Sequence, residues 1–171
     1  MSNYLKHIVQ GIAILFVQIL LVDQISFGQL NAYINPIIIG AFYLSLPVGF
    51  STRRMLFVAL VLGGILDAFH DTLGMNMSAS LSLAFSRPIF LRIIESREGF
   101  HTSFTPTVVS LGLPKFMVYA GLLFLIYHFN FFLLESFSAL SFTSIILKTI
   151  LSSIVALMLS ILLQYLTYNK Q

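Results

Sequence analysis

The sequence predicts an all-α integral membrane protein of about six transmembrane helices with both termini in the cytoplasm. Three observations carry that expectation. Of the 171 residues, 58% are hydrophobic and 9% charged, against roughly 25% charged in an ordinary soluble domain. The mean hydropathy is +0.96, and polar residues collect in short clusters between apolar runs, as in successive membrane spans rather than one buried core. Lys and Arg are also distributed unevenly among those runs. Cysteine is absent, which excludes a disulfide framework, a thiolate metal site and thiol chemistry. The net charge of +3 reports orientation rather than nucleic-acid binding.

A helix needs roughly 20 residues to cross a hydrocarbon core of about 30 Å. Six runs fit within one domain covering 1–171: 5–21, 32–50, 55–71, 75–94, 116–134 and 145–166. The first ends at Asp23-Gln24-Ile25 with no small-residue cleavage site, so it reads as a retained anchor and not a signal peptide. The fourth is interrupted by Arg87-Pro88. Proline removes a backbone hydrogen bond and kinks a helix, which frees 88–94 to turn along the interface. Next comes ESREGFHTSFTP, residues 95–106, the main polar stretch of the cytoplasmic loop 95–115 and the place for a cytosolic partner. Gly112 and Pro114 argue against extending the fifth span backward through 107–114.

Cytoplasmic flanks of short-looped membrane proteins are enriched in Lys and Arg. With the N-terminus inside, the inner segments collect Lys6, Arg53, Arg54, Arg87, Arg92, Arg97, Lys115 and Lys170, eight of the nine positive residues. Asp23, Asp71 and Glu135 fall outside, and the exception, Lys148, lies one turn into the sixth span.

The densest polar cluster is GGILDAFHDTLG, residues 63–74. On a helix Asp67, His70 and Asp71, at i, i+3 and i+4, project from one face. Two carboxylates and an imidazole are ordinary ligands of a divalent metal, yet a structural reading accounts for them more simply. Asp71 or Thr72 caps the next helix, Gly74 permits the turn, and His70 offsets the paired acids. Asp67 lies nearest the membrane interior, where an acid costs roughly 2.5–3.5 kcal/mol on insertion scales, so it must face protein or water. Gly63 and Gly64, one turn earlier, let another backbone approach. Gln10, Gln18, His128, Ser152 and Ser153 read as interhelical hydrogen-bonding residues, and Lys148 with Glu135 as an ion pair of little weight at an exposed interface. The 17 Phe and 7 Tyr read as lipid-facing and interfacial packing.

Catalytic templates fail: there is no phosphate loop, no HExxH and no GxSxG. The Asp67-x-x-x-Asp71 spacing is similar to the trailing half of the metal motif in CDP-alcohol phosphotransferases, but the preceding acidic half is missing. No catalytic residue, metal or cofactor is expected.

The segment VLGGILDAFHDTLGMNMSASLSLAFSRPIFLR, residues 61–92, resembles the signature of the bacterial rod-shape-determining MreD family, in a Bacteroidetes-like variant. Gly and Asp end the third helix, a Gly follows about seven residues on, and a helix with small residues closes on Arg-Pro. YINPIIIGAFYLSLP, residues 33–47, is similar to that family's second helix, and length and topology agree over the whole chain. The resemblance places Gly63, Gly64, Asp67, Gly74, Arg87 and Pro88 at signature positions, with Asp71 beside them as a packing or partner candidate. Asn76 departs from the pattern and receives no role. The resemblance implies a non-enzymatic component of the elongation machinery in the bacterial inner membrane, supporting rod shape and lateral peptidoglycan synthesis. Its expected partners are an MreC-like single-pass protein and, through it, MreB, RodA and the class B transpeptidase. Beyond these only the lipid bilayer is expected to be bound, with no nucleic acid. That family is also grouped by fold with the six-helix S-components of vitamin transporters, which supplies an alternative, a small-molecule uptake subunit. Three or more buried donors and acceptors around one outer-facing cavity would favour it.

Overall fold

The computed structural model describes residues 3–26, 28–95, 99–136 and 141–168, and every regular element among them is helical. Arg97 and Lys170, assigned above to the inner side, lie outside the described residues. In chain order the α-helices are α1 (Asn3–Leu20), α2 (Gly40–Leu44), α3 (Thr52–His70), α4 (Met75–Ile94), α5 (Val108–Leu111), α6 (Leu113–Glu135) and α7 (Phe142–Tyr168). Four stretches are long and apolar enough to cross a membrane: His7–Gln24, Met75–Ile94, Leu113–Glu135 and Phe142–Leu166. They mark the chain as a membrane protein. Helix α3 has 19 residues but carries Arg53 and Arg54 in its first turn and Asp67 near its end, and it is not among the four.

Local chemistry sets the helix ends. Helix α3 stops where Asp71 adopts a left-handed conformation (φ 52°), and α4 starts just after Gly74 (φ 81°), so the reversal between them needs only four residues. Glycine takes a positive φ without the steric cost that a side chain brings. Thr107 and Ser110 form a reciprocal capping box on α5, which satisfies amides that the first turn leaves free. Gly112 (φ 77°) separates α5 from α6, whose first turn holds Pro114, where a missing N–H is no loss. Pro88 does not end α4. The helix runs through it to Ile94, and Leu91, a turn beyond, is buried. Packing of that last turn outweighs the one hydrogen bond that proline cannot make, so the expected turn of 88–94 along the interface is corrected.

The largest departure concerns residues 32–50, expected to form the second spanning helix. Only Gly40–Leu44 is α-helical there, while residues 34–38 have no regular structure. Pro36 cannot donate, biases Asn35 toward extended backbone, and Pro47 closes the far side in the same way. Residues 33–50 instead form a thread along the inside of the helix bundle. On α1, Gln18 meets Pro36 and Ile38, Gly11 lies against the Phe42 ring, Gln10 meets Ser45, and His7 lies 6.3 Å from Phe50 between ring centroids. On α6, His128 meets Ile37 and Tyr119 meets Leu44. The thread therefore runs antiparallel to both helices. It starts at the end of the bundle that holds Asp23 and reaches the end that holds Arg87. The eleven helical steps of α1 from residue 18 to residue 7 correspond to about 16 Å at about 1.5 Å each.

Around the thread, α3 packs on α4, α4 on α6 and α6 on α7. Ile37, Ile38, Ile39, Tyr43 and Leu44 are fully covered. So are Phe116, Tyr119, Phe124 and Tyr127 on α6, so much of the aromatic complement, expected at lipid-facing and interfacial positions, builds the core. Other rings, among them Phe57, Phe69 and Phe85, are exposed. The polar loop also folds back: the amides of Val48 and Gly49 donate to Phe104 O and Thr102 O, both at 2.8 Å, and the rings of Phe100 and Phe104 stack at 4.5 Å.

Candidate functional site

Backbone that is not helical, placed among membrane-spanning helices, must find its hydrogen-bond partners in protein. The thread finds them on four helices. Near the Asp23 end its amides are taken by side-chain acceptors: Asn35 N–H donates to Ser152 Oγ (3.0 Å), Ile37 N–H to His128 Nε2 (3.2 Å) and Ile38 N–H to Gln18 Oε1 (2.6 Å). Near the Arg87 end its carbonyls are taken by side-chain donors. The Tyr119 hydroxyl donates to Leu44 O (3.4 Å), and Arg87 donates through Nη2 to Leu46 O and through Nε to the Tyr119 hydroxyl (3.0 Å). Ile37 N–H requires an unprotonated Nε2 on His128, so Nδ1 carries the proton and donates to Phe124 O (2.9 Å). The partners thus fix the tautomer.

Arg87, expected at the inner end of the fourth span, is only 2% exposed. It is an internal residue bound to the thread, its charge directed at carbonyls just past the C-terminal end of α2, where cations are favoured. Gln18 does more than bridge helices. Its Nε2 also donates to Pro36 O (3.3 Å) and Asp23 Oδ1 (2.6 Å), and Asp23 Oδ2 meets His70 Nε2 at 2.7 Å. A continuous chain of polar contacts therefore runs from the surface residue His70 through Asp23 and Gln18 to the buried thread.

Asp67 sits on α3 and caps α4. Its Oδ1 accepts from Asn76 N–H (2.8 Å), the Thr72 hydroxyl (2.7 Å) and Asn76 Nδ2 (3.2 Å), and its Oδ2 accepts from Met77 N–H (2.9 Å). Gly74 precedes α4 and has no side chain to cap it, so the carboxylate takes amides that the first turn leaves free. This corrects the expectation that Asp71 or Thr72 is the cap: Asp71 closes α3 and is exposed, and Thr72 donates to Asp67. The single face proposed for Asp67, His70 and Asp71 is also corrected. Asp67 points to α4 and His70 to Asp23. Among the described residues, no group of three or more His, Asp or Glu side chains is placed to hold a metal.

Gly63 and Gly64 separate into two cases. A Cβ on Gly63 would lie 2.6 Å from Met77 Cα and 2.9 Å from Asn76 O, both backbone atoms of α4, whereas one on Gly64 would meet only the flexible Met77 Cε, at 3.1 Å. The close helix contact belongs to Gly63 and lies inside the bundle. The same crossing holds Asn76, which the sequence left without a role. Asn76 is fully buried, donates to Asp67 and Thr72, and accepts from the Tyr127 hydroxyl (3.1 Å), so that α3, α4 and α6 meet at one side chain.

At the Asp23 end a cleft of about 250 Å³ opens between the start of the thread, the end of α6 and the start of α7. Val22, Pro36 and Phe132 give it apolar walls, and Asp23, Glu135 and Lys148 charged ones. Lys148 Nζ lies 3.0 Å from Glu135 Oε2 and 5.5 Å from the centre of the Phe132 ring. The expected ion pair is therefore formed. No protein-family model, curated protein or solved structure matches the chain.

Proposed function

We propose that the chain is a non-enzymatic, MreD-like membrane component of the bacterial cell-wall elongation machinery. The observation that carries this reading is the fate of segment 61–92. Its signature residues are used in packing and capping: Gly63 in the α3–α4 contact, Asp67 as the cap of α4, Gly74 in the turn, and Arg87 on the thread. Polar groups committed to holding the fold leave little for catalysis, as an assembly component requires. The protein crosses the inner membrane six times, five times as a helix and once as the thread. Alternating direction puts both termini at the Arg87 end. Lys115, Arg53, Arg54 and Arg92 share that end with Arg87, and the positive-inside rule makes it cytoplasmic. The outer helix faces bind an MreC-like single-pass partner and through it MreB, RodA and the class B transpeptidase.

Depleting the protein in its host is expected to convert rods to spheres and to release the MreC-like partner from the affinity-purified synthase complex. Unchanged rod growth and lateral wall synthesis would overturn the proposal. The topology has its own test: alkaline phosphatase fused at the C-terminus is expected to be inactive, and a Ser96→Cys variant to resist a membrane-impermeant maleimide applied from outside. Labelling at Ser96→Cys in intact cells would reverse the orientation.

One observation favours a second reading, a small-molecule uptake subunit: the cleft at the Asp23 end, which this topology places on the outer side, is lined by charged and amide side chains as well as apolar ones.

A further inference from the structure

Lys148 is the one basic residue that the charge distribution leaves on the outer side, and its position has a local reason. Its side chain is 16% exposed, lies against Glu135 and the Phe132 ring, and faces the same cleft as Asp23. A cavity holding both signs of charge discriminates by charge pattern. Asp23 being held by Gln18 and His70, a ligand offering only a carboxylate must part Lys148 from Glu135 and leave the acid unpaired, and one offering only an amine must part the same pair and leave the lysine unpaired. A molecule with both exchanges the internal ion pair for two external ones and leaves neither Lys148 nor Glu135 uncompensated.

We propose that this cleft binds a small zwitterion with an apolar side chain, of the size and charge of a free aliphatic α-amino acid. Its carboxylate pairs with Lys148, its ammonium with Glu135, and its side chain lies against Ile25 and Tyr33, the exposed large apolar side chains of the lining. At about 250 Å³ the space corresponds to roughly eight waters at about 30 Å³ each, room for one such molecule and no larger peptide. Asp23 is already engaged by Gln18 and His70 and contributes to the field of the cleft rather than as a direct partner. This site goes with the uptake reading, but its occupancy does not depend on transport, and its failure would leave the assembly role untouched.

The test is calorimetric titration of the purified full-length protein in nanodiscs with leucine, leucinamide and 4-methylpentanoate, which share one side chain and differ in charge. Leucine is expected to bind saturably, with each singly charged analogue weaker by about tenfold or more, the equivalent of one charge-assisted contact. Lys148→Gln and Glu135→Gln are each expected to weaken leucine by a similar factor. Lys148→Arg, which keeps the ion pair, serves to separate lost binding from lost folding and is expected to retain measurable affinity. No heat from any of the three ligands, equal affinity for all three, or leucine binding unchanged in Lys148→Gln would overturn the proposal. Rod growth and partner co-purification, measured in the same variants, report on the assembly role independently.

Discussion

Replacing Gly63 by leucine is expected to abolish folded protein, while Gly64→Ala remains close to the parent. The two glycines are neighbours in sequence and sit on the same helix. They differ in what a new methyl group would strike. At 63 it is the backbone of α4, at 2.6 Å from Met77 Cα, and a helix axis can yield only by moving as a whole. At 64 it is the end of a methionine side chain, 3.1 Å away, which swings aside with little loss because the thioether chain is flexible. Overpacking in a tight core costs typically 1–3 kcal/mol and occasionally more, and a backbone collision belongs at the upper end. Membrane helix pairs rely on close packing because lipid supplies no hydrophobic force between them, so the α3–α4 crossing has little to compensate the loss. Fluorescence-detected size exclusion of the detergent extract measures it. A normal monodisperse peak for Gly63→Leu would remove the close contact from the account. A severe defect for Gly64→Ala would place the contact one residue later.

The second large effect is expected at Asp67. Asp67→Ala withdraws the acceptor from two backbone amides, a hydroxyl and an amide side chain at once. Unpaired buried donors cost about 1–3 kcal/mol each, so a loss on the order of 3–5 kcal/mol follows even when water or a shifted Thr72 recovers part of it. Asp67→Asn is the sharper probe. Its carbonyl keeps the three bonds now made to Oδ1, but its amide nitrogen then faces Met77 N–H, donor against donor. The expected loss is about 1–3 kcal/mol, visible as a lower thermal midpoint, with the remaining fold intact. An Asp67→Asn protein of parental stability that nonetheless failed to support rod growth would show that the charge acts in something other than capping, and the structural reading of this residue would fall.

The long helices were legible because α1, α6 and α7 are apolar runs of spanning length, α4 is one interrupted only by Arg87-Pro88, and α3 carries charges near its ends. The thread was not legible as such. Residues 32–50 are apolar enough to read as a lipid-facing helix, since composition reports the absence of water and not what replaces it. The warning signs were Pro36 and Pro47 together with Gln18, His128 and Ser152, which read singly as interhelical contacts. Taken together they are the acceptors that an unbonded backbone requires. Asp67 and Gly63 stood out because an acid on the membrane side of a polar cluster and a glycine in a helix each demand a reason. Asn76, Tyr119 and Tyr127 did not, because an amide or a phenol in an apolar run looks like ordinary tolerance until its partner is known. The shared face of Asp67, His70 and Asp71 failed at Asp71, because i+4 geometry holds only while the helix continues and α3 ends at His70; Asp67 and His70 are both on α3 but reach different partners, α4 and Asp23.

The thread also imposes an order on biosynthesis. A helix satisfies its own backbone as it leaves the ribosome, but the amides of Asn35 and Ile37 wait for Ser152 and His128, which lie 117 and 91 residues further along the chain. Until α6 and α7 have been synthesised, residues 33–50 cannot rest in lipid without leaving polar groups unpaired. The backbone of residues 35–37 therefore completes its hydrogen bonding only once α6 and α7 are in place.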